Sequence, residues 1–384
     1  MTVAVATVAQ TIERIAPTAW AEEWDNVGLL VGSGRKQVAK ILVSLDGTLE
    51  VVQEAVDIGA QLIVAHHPIM FRPLKNLRED NPAAQIPLRL IQHDIAYYAA
   101  HTNLDQSVLS ASWTLAESLG LAETELLAPV GQERLVKLVV FVPEPEAEAV
   151  RQALVRVGVG EGITDGPHAA NYAESFFAAK GEGMFRPLAG AEPAIGRIGD
   201  FIRVEEVRLE SIIPEFLAER AVRSMRKVHP YEEPAYDLIP LQNPGRSWGY
   251  GVLGRLKEGV PLGEFWRQIL TAVNPYCAGE GQNITGARLA GDPRRLVKKI
   301  AVVNGSGSSF VGKALFKGVD LLVTGDIDHH AALDAVQGGM AIGDIGHFAS
   351  EISMVHNLGK LLQNEKVLSG VQVQLSRVNK VPWV

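Results

Sequence analysis

Cysteine is nearly absent: the 384 residues hold one, Cys277. A single thiol closes no internal disulfide and builds no cysteine-based zinc site. Long apolar runs are missing too, since none reaches the roughly 18 residues that a membrane span needs. Positive charge is in deficit: 36 Lys and Arg stand against 44 Asp and Glu, a formal net charge of −8. That balance gives no broad electrostatic footprint for nucleic acid. Arg294, Arg295, Lys298 and Lys299 could form a local basic patch, and the plainer reading is the solvated start of a strand. The N-terminal stretch MTVAVATVAQTIERIAP lacks a basic leader and carries Glu13, so it reads as a helix and not as a signal peptide. A cytoplasmic protein with no membrane partner is expected.

What is present is ordinary globular composition, 47% hydrophobic and 21% charged, in a chain long enough for two or more domains. The first third alternates strand and helix. Lys40–Leu45, Gln61–Ala65 and Ile95–Ala100 read as buried strands; Leu49–Ile58, Ala83–His93 and Ser107–Leu119 read as helices. Strands this apolar imply a sheet covered on both faces. The last third repeats the rhythm, with strands at Lys299–Val303, Val319–Val323 and Met340–Ile345. Its helices are expected at Val311–Lys317, Ile327–Gln337 and His347–Leu362. The middle differs. Strands at Arg134–Val142, Asn171–Ala179, Val204–Ile213 and Ala235–Pro240, with helices at Pro145–Val157 and Glu215–Lys227, give a β-α-β-β-α-β order. That is the order of a ferredoxin-like module. The expected fold is α/β, two similar halves (1–133 and 243–384) with an inserted module at 134–242.

Ten histidines occur, four of them in the adjacent pairs His66-His67 and His329-His330. His66 and His67 end a buried strand, where open sheets usually hold ligands. Neighbours in extended chain point to opposite sides, so two ions about 3.5–4 Å apart would suit them better than one. Two loop histidines without a metal is the plain alternative. His347 and Glu351 are four apart in a helix and share a face, either as ligands or as a solvated surface. Asp105 follows a buried strand, as a ligand or as the N-cap of the next helix. Together His66, His67, Asp105, His347 and Glu351 offer the imidazole and carboxylate mixture of a two-metal site. His101, His329 and His330 lie beside these loops and are candidate acid/base groups. Asp326 or Asp328 would cap the helix that carries the second pair. Asn304–Ser309 is a weak phosphate cradle, more simply a strand-to-helix turn. His229–Pro234 (HPYEEP) is a small-molecule patch or, more simply, a turn into an edge strand.

The motifs EEWDNVGLLVG (22–32), AHHP (65–68), HTNLD (101–105), NGSGSSF (304–310), TGDIDHH (324–330) and GHFASE (346–351) resemble the Nif-three-like dinuclear-metal family. Its bacterial members often carry the name GTP cyclohydrolase 1 type 2 homologue. KLVVFVP and HPYEEPAYDLIPL resemble the PII- and CutA-like insert of the longer members, so nearly the whole chain is covered. The resemblance implies metal ligands at His66, His67, Asp105, His347 and Glu351. It also implies a toroidal homohexamer, a trimer of dimers with metal sites facing a cavity.

Three functions follow as expectations. The first is a metal-dependent hydrolase of a nucleotide or related phosphorylated compound, using two divalent ions of zinc, iron or manganese. The second is GTP cyclohydrolase proper, in which water attacks C8 of the purine. The third is a non-enzymatic metal-binding assembly or regulator.

Overall fold

The computed structural model describes residues 2–162, 172–277 and 286–379. The chain gathers into two compact units, Met1–Val130 with Trp248–Val384, and Gly131–Ser247.

The first unit holds two mixed sheets. One runs in the order Gln372–Leu375, Lys40–Ser44, Leu62–Ala65, Ala96–Ala99, Gly28–Val31. Its first four strands are parallel and Gly28–Val31 is antiparallel to its neighbour. The other runs Arg288–Ala290, Ala341–Asp344, Leu321–Gly325, Leu296–Ser306, Ser247–Pro261, Ala122–Gln132. Its parallel core is Leu296–Ser306, Leu321–Gly325 and Ala341–Asp344. Strands such as Leu62–Ala65 are buried at every residue, which is why they read as unbroken apolar runs rather than alternating ones. Between them the helix Leu49–Ile58 starts at Thr48, whose side chain accepts from the Val51 N–H at 3.2 Å, and stops at Gly59 in the left-handed region.

This topology fixes where chemistry can sit. Parallel strands send their C-terminal ends to one edge of a sheet, where open α/β sheets keep their ligands. In the first sheet those ends run on to Asp46, His66 and His101; in the second they carry Asn304 and run on to Asp326 and His347.

Several elements depart from the sequence reading. The strands Ala122–Gln132 and Ser247–Pro261 and the helix Leu262–Cys277 add to the elements expected from the sequence. Ser247–Pro261 contains Gly249, Gly251, Gly254 and Gly259, and glycine dilutes a strand signal. Gly249 is there because the neighbouring backbone passes so close that a Cβ would lie 2.2 Å from the Ala128 carbonyl oxygen. The expected helix Ser107–Leu119 shortens to Ala111–Ser118, and a single turn, Thr102–Asp105, precedes it. His347–Leu362 divides at Ile352 into His347–Glu351 and Ser353–Asn364, with Ile352 still in right-handed helical conformation. Arg294 and Arg295 pair with Asp292 and Asp320, each at 3.4 Å, so their charge is locally answered.

The second unit follows the order Leu135–Pro143, Ala147–Val155, Phe177–Phe185, Ile202–Pro214, Ala218–Arg226, Tyr236–Pro240. Its strands form one antiparallel sheet, ordered Tyr236–Pro240, Leu135–Pro143, Ile202–Pro214, Phe177–Phe185. Leu138, Val140, Val142 and Leu209 bury one face of it against Val150, Leu154, Ala221 and Met225 of the two helices. The strand expected at Asn171–Ala179 is found at Phe177–Phe185; Asn171 lies outside the described residues. His229–Pro234 leads into the edge strand, and the buried His229 ring uses both nitrogens. Nε2–H donates to the Phe141 carbonyl at 2.9 Å, and Nδ1 accepts from the Tyr231 N–H at 3.1 Å.

Candidate metal centre

His66 follows the buried strand Leu62–Ala65 and is itself 0% exposed. Its Nδ1 lies 2.8 Å from the Ala100 carbonyl. A carbonyl only accepts, so Nδ1 carries the hydrogen. Nε2 then presents a bare lone pair and has no hydrogen-bond partner. It faces Asp105 Oδ1 at 3.6 Å and Glu351 Oε1 at 3.7 Å. Three acceptors turned toward one another in a buried space are unfavourable. Protonating Nε2 would not mend this well, because both oxygens lie beyond good hydrogen-bond range. A cation held among the three would.

The other three imidazoles repeat the theme with carboxylates behind them. Nδ1 of His67 meets Asp46 Oδ1 at 2.7 Å, Nδ1 of His101 meets Asp25 Oδ1 at 2.9 Å, and Nδ1 of His347 meets Asp326 Oδ2 at 2.8 Å. Each carboxylate fixes the tautomer and leaves Nε2 free to face the cluster, the arrangement that orients metal-binding histidines. Nε2 of His67 and Nε2 of His347 each lie 3.1 Å from Glu351 Oε2. That oxygen is buried and makes no well-aligned hydrogen bond.

The charges of these groups act on one another. Burial pulls the His67 ring toward neutrality, but Asp46 and Glu351 outweigh it and push its pKa up to about 10. His347 is pushed up to about 9, chiefly by the Glu351 carboxylate beside its Nε2. Burial works against ionised Glu351, yet the surrounding imidazoles hold it well below the ordinary carboxylate range. Asp105 is pushed up to about 7 by burial first and by the Glu351 charge second. Burial also opposes ionised Asp25, but hydrogen bonds from His101 and Thr102 hold it down at about 2.

Three overlapping groups bring ligand atoms within 4.8 Å of one another: His66, His67 and His101; His67, His347 and Glu351; His66, Asp105 and Glu351. These groups could hold a metal ion. Local structure supports them. Asn304 Nδ2 donates to Asp105 Oδ1 at 2.6 Å, and the Gly305 N–H donates to Ser350 Oγ at 2.9 Å. Gly305 sits at φ +67°, and a Cβ there would lie 2.5 Å from Glu351 Oε1. The Asn304–Ser309 stretch, a turn as the sequence suggests more simply than a phosphate cradle, thus presses a bare backbone against a carboxylate.

All five expected ligands meet in this cluster, and His101 joins them. His329 and His330 do not line the cleft beside it. They are exposed at the start of the helix His329–Gln337, their rings 5.5 Å apart. Asp328 caps that helix, accepting from the Ala331 N–H at 2.9 Å, while Asp326 turns to His347. Asp105 caps nothing, since Ser110 is the N-cap residue of the next helix. The sequence reading overlooked Asp25 and Asp46 as partners of the histidines. The signal for Asp46 was its position just past Lys40–Ser44, corresponding to that of His66 past the next strand.

A cleft of about 860 Å³ opens on the cluster, lined also by Glu22, Trp24, Phe71, Tyr250 and Phe310. Tyr250 donates its hydroxyl hydrogen to Glu22 Oε1 at 2.8 Å and accepts from Gln106 Nε2 at 3.0 Å.

Comparison with known proteins agrees along the whole chain. Residues 3–382 match the Duf34/NIF3 (NGG1p interacting factor 3) family. A GTP cyclohydrolase 1 type 2 homolog of Halalkalibacterium halodurans is 41% identical over 380 residues, 98% of this chain and 97% of that one. A Bacillus subtilis protein of the same name is 37% identical over 379 residues, 98% of this chain and 97% of that one. The crystal structure of a Bacillus cereus protein related to NIF3 superposes with a TM-score of 0.82 at 38% identity, covering 100% of this chain and 99% of that one. The chain belongs to the Duf34/NIF3 family.

Proposed function

We propose that this chain holds two divalent ions and acts as a metal-dependent hydrolase. One observation carries the reading. The groups His66, Asp105, Glu351 and His67, His347, Glu351 share a single residue, Glu351, whose two oxygens face different histidines. His66, Asp105, His67, His347 and Glu351 would together hold two ions, and imidazole with carboxylate suits zinc, iron or manganese. Bound there, the ions would supply Lewis acidity and a water of lowered pKa.

The chain's own residues do the rest. Asp46 and Asp326 hold His67 and His347 in one tautomer, and the Ala100 carbonyl does so for His66. His101 has a carboxylate at Nδ1 and lines the cleft, which suits it to take and return a proton. His329 and His330, exposed and outside the cleft lining, have no part in this reading. The open cleft favours hydrolysis over a sealed metal store, because Asp105 and His347 both line it.

The name carried by the relatives makes GTP one candidate among nucleotides and related phosphorylated compounds. The β-α-β-β-α-β unit is proposed to be a ferredoxin-like, PII/CutA-like insertion, and the working form a cytoplasmic homohexamer, which light scattering tests. The chemistry is tested by stripping the metal with a chelator, reloading it, and assaying nucleotide substrates. Activity should vanish and return with the ions. His101→Asn should keep the metal yet lose turnover by roughly 10²–10⁴-fold. Turnover that survives stripping, or a His101→Asn variant as fast as the wild type, would refute the reading.

A further inference from the structure

The cleft's walls say something about charge. Trp24 is 62% exposed and Phe71 51% exposed, large apolar side chains left open at the cleft. Both stand edge-on to the His101 ring, with centroids 6.1 and 5.6 Å away. Ile69 and Ile86 extend the apolar wall, and Thr48, Ser306 and Ser309 add hydroxyl-bearing residues. No lysine or arginine lines the cleft among the described residues. Arg72 and Lys75 follow Phe71 in sequence, but they are exposed and outside the lining.

Acidic groups, by contrast, are many. Glu22, Asp46, Asp105 and Glu351 line the cleft, and Asp25 and Asp326 stand directly behind His101 and His347. Even two divalent ions would not neutralise six carboxylates. Sites built for triphosphates add arginine or lysine to the metal, because several phosphate charges need several cations. A single phosphate, or a neutral polar group, can be matched by the ions alone.

We infer that the cleft takes a flat aromatic or heteroaromatic compound carrying at most one phosphate, its ring against Trp24 and Phe71, and that it discriminates against a triphosphate tail. This rests on reading the cleft as the metal-loaded site proposed above. Exposed aromatic rings accept the face of any planar ring, and the carboxylate surplus repels added anionic charge.

Guanosine, GMP and GTP test this, since they share one ring and differ only in phosphate. Binding to the full-length, metal-loaded chain is measured by equilibrium dialysis with free metal in excess, so that the ions stay bound. GMP should bind within about tenfold of guanosine, GTP at least tenfold more weakly than GMP, and Trp24→Ala should weaken guanosine by about tenfold. GTP binding more tightly than GMP, no measurable binding of guanosine or GMP, or guanosine affinity unchanged in Trp24→Ala would each overturn the inference. Product analysis on the same samples keeps the two readings apart. The expected binding order without turnover removes the hydrolase and leaves the ligand class. Turnover that favours GTP does the reverse.

Discussion

At His66 the two ring nitrogens face different tasks. Nδ1 is spent on a backbone carbonyl, and Nε2 waits among carboxylates with nothing to bond. Around it, Asp25, Asp46 and Asp326 do for the other rings what Ala100 does for His66. Such outer partners typically change metal affinity by about 10–100-fold when altered. Asp46→Asn keeps an acceptor for His67 Nδ1 but removes the charge. It should therefore weaken metal affinity by roughly 10-fold or more, measured by competition with a chromophoric chelator; wild-type affinity would show that Asp46 is a bystander. These carboxylates were hard to see in the sequence, because an aspartate in a loop more often caps a helix or closes a turn, as Asp328 does. The candidate ligands were easier to see, since His66-His67 and Asp105 follow strands that are apolar throughout.

His229 supplies a test of the second unit that needs no metal. Burial lowers its pKa below the ordinary 6.5, and its Nδ1 is already engaged as an acceptor. A depressed folded-state pKa means that the unfolded chain takes up the proton first as pH falls. The contribution is therefore complete above about 6.5 and is lost on acidification below it. Thermal midpoints should drop between roughly pH 6.5 and 5, with slower loss in His229→Gln. Parallel profiles for the two proteins would rule out this histidine as the cause.

Among elements, the strand Leu296–Ser306 and the helix His347–Glu351 matter most. The strand ends with Asn304 on Asp105 and Gly305 against Glu351; the helix sets His347 and Glu351 one turn apart. Gly305→Ala would add a Cβ 2.5 Å from Glu351 Oε1, at a φ of +67°. It should destabilise the fold by roughly 1–3 kcal/mol and lower the metal content, read by melting and by elemental analysis. A variant with full metal content would mean that Glu351 has room to move and is not held by this turn. The glycine run was legible as a turn but not as a steric seat, because only the folded chain brings residue 351 beside residue 305. The same limit hid Ser247–Pro261, whose glycines accommodate a neighbouring backbone. The paired His329-His330 misled for the opposite reason. A doublet of histidines looks purposeful in a sequence, yet the Asp328 cap starts their helix where both rings are exposed.

For the whole molecule, the residues lining the cleft all belong to the first unit. Within the second unit the chain's two ends meet, the Glu133 N–H donating to the Arg246 carbonyl at 2.9 Å. Removing residues 137–241 and joining the ends with a short linker should thus leave a soluble core with its metal. An insoluble or metal-free product would show that the middle of the chain is not an insertion. Alternating strands and helices made the outer halves legible, and the β-α-β-β-α-β order made the middle legible. What ties the halves together was not visible, because two sheets contribute one edge each to a site whose ligands are nearly 290 residues apart.

The central claim is that Glu351 joins two ions. Anomalous diffraction from crystals of the metal-loaded protein tests it most directly. The account predicts two peaks about 3.5–4 Å apart, one beside His66 and Asp105, the other beside His67 and His347, with Glu351 touching both. A single peak, or two peaks that Glu351 does not bridge, would contradict it.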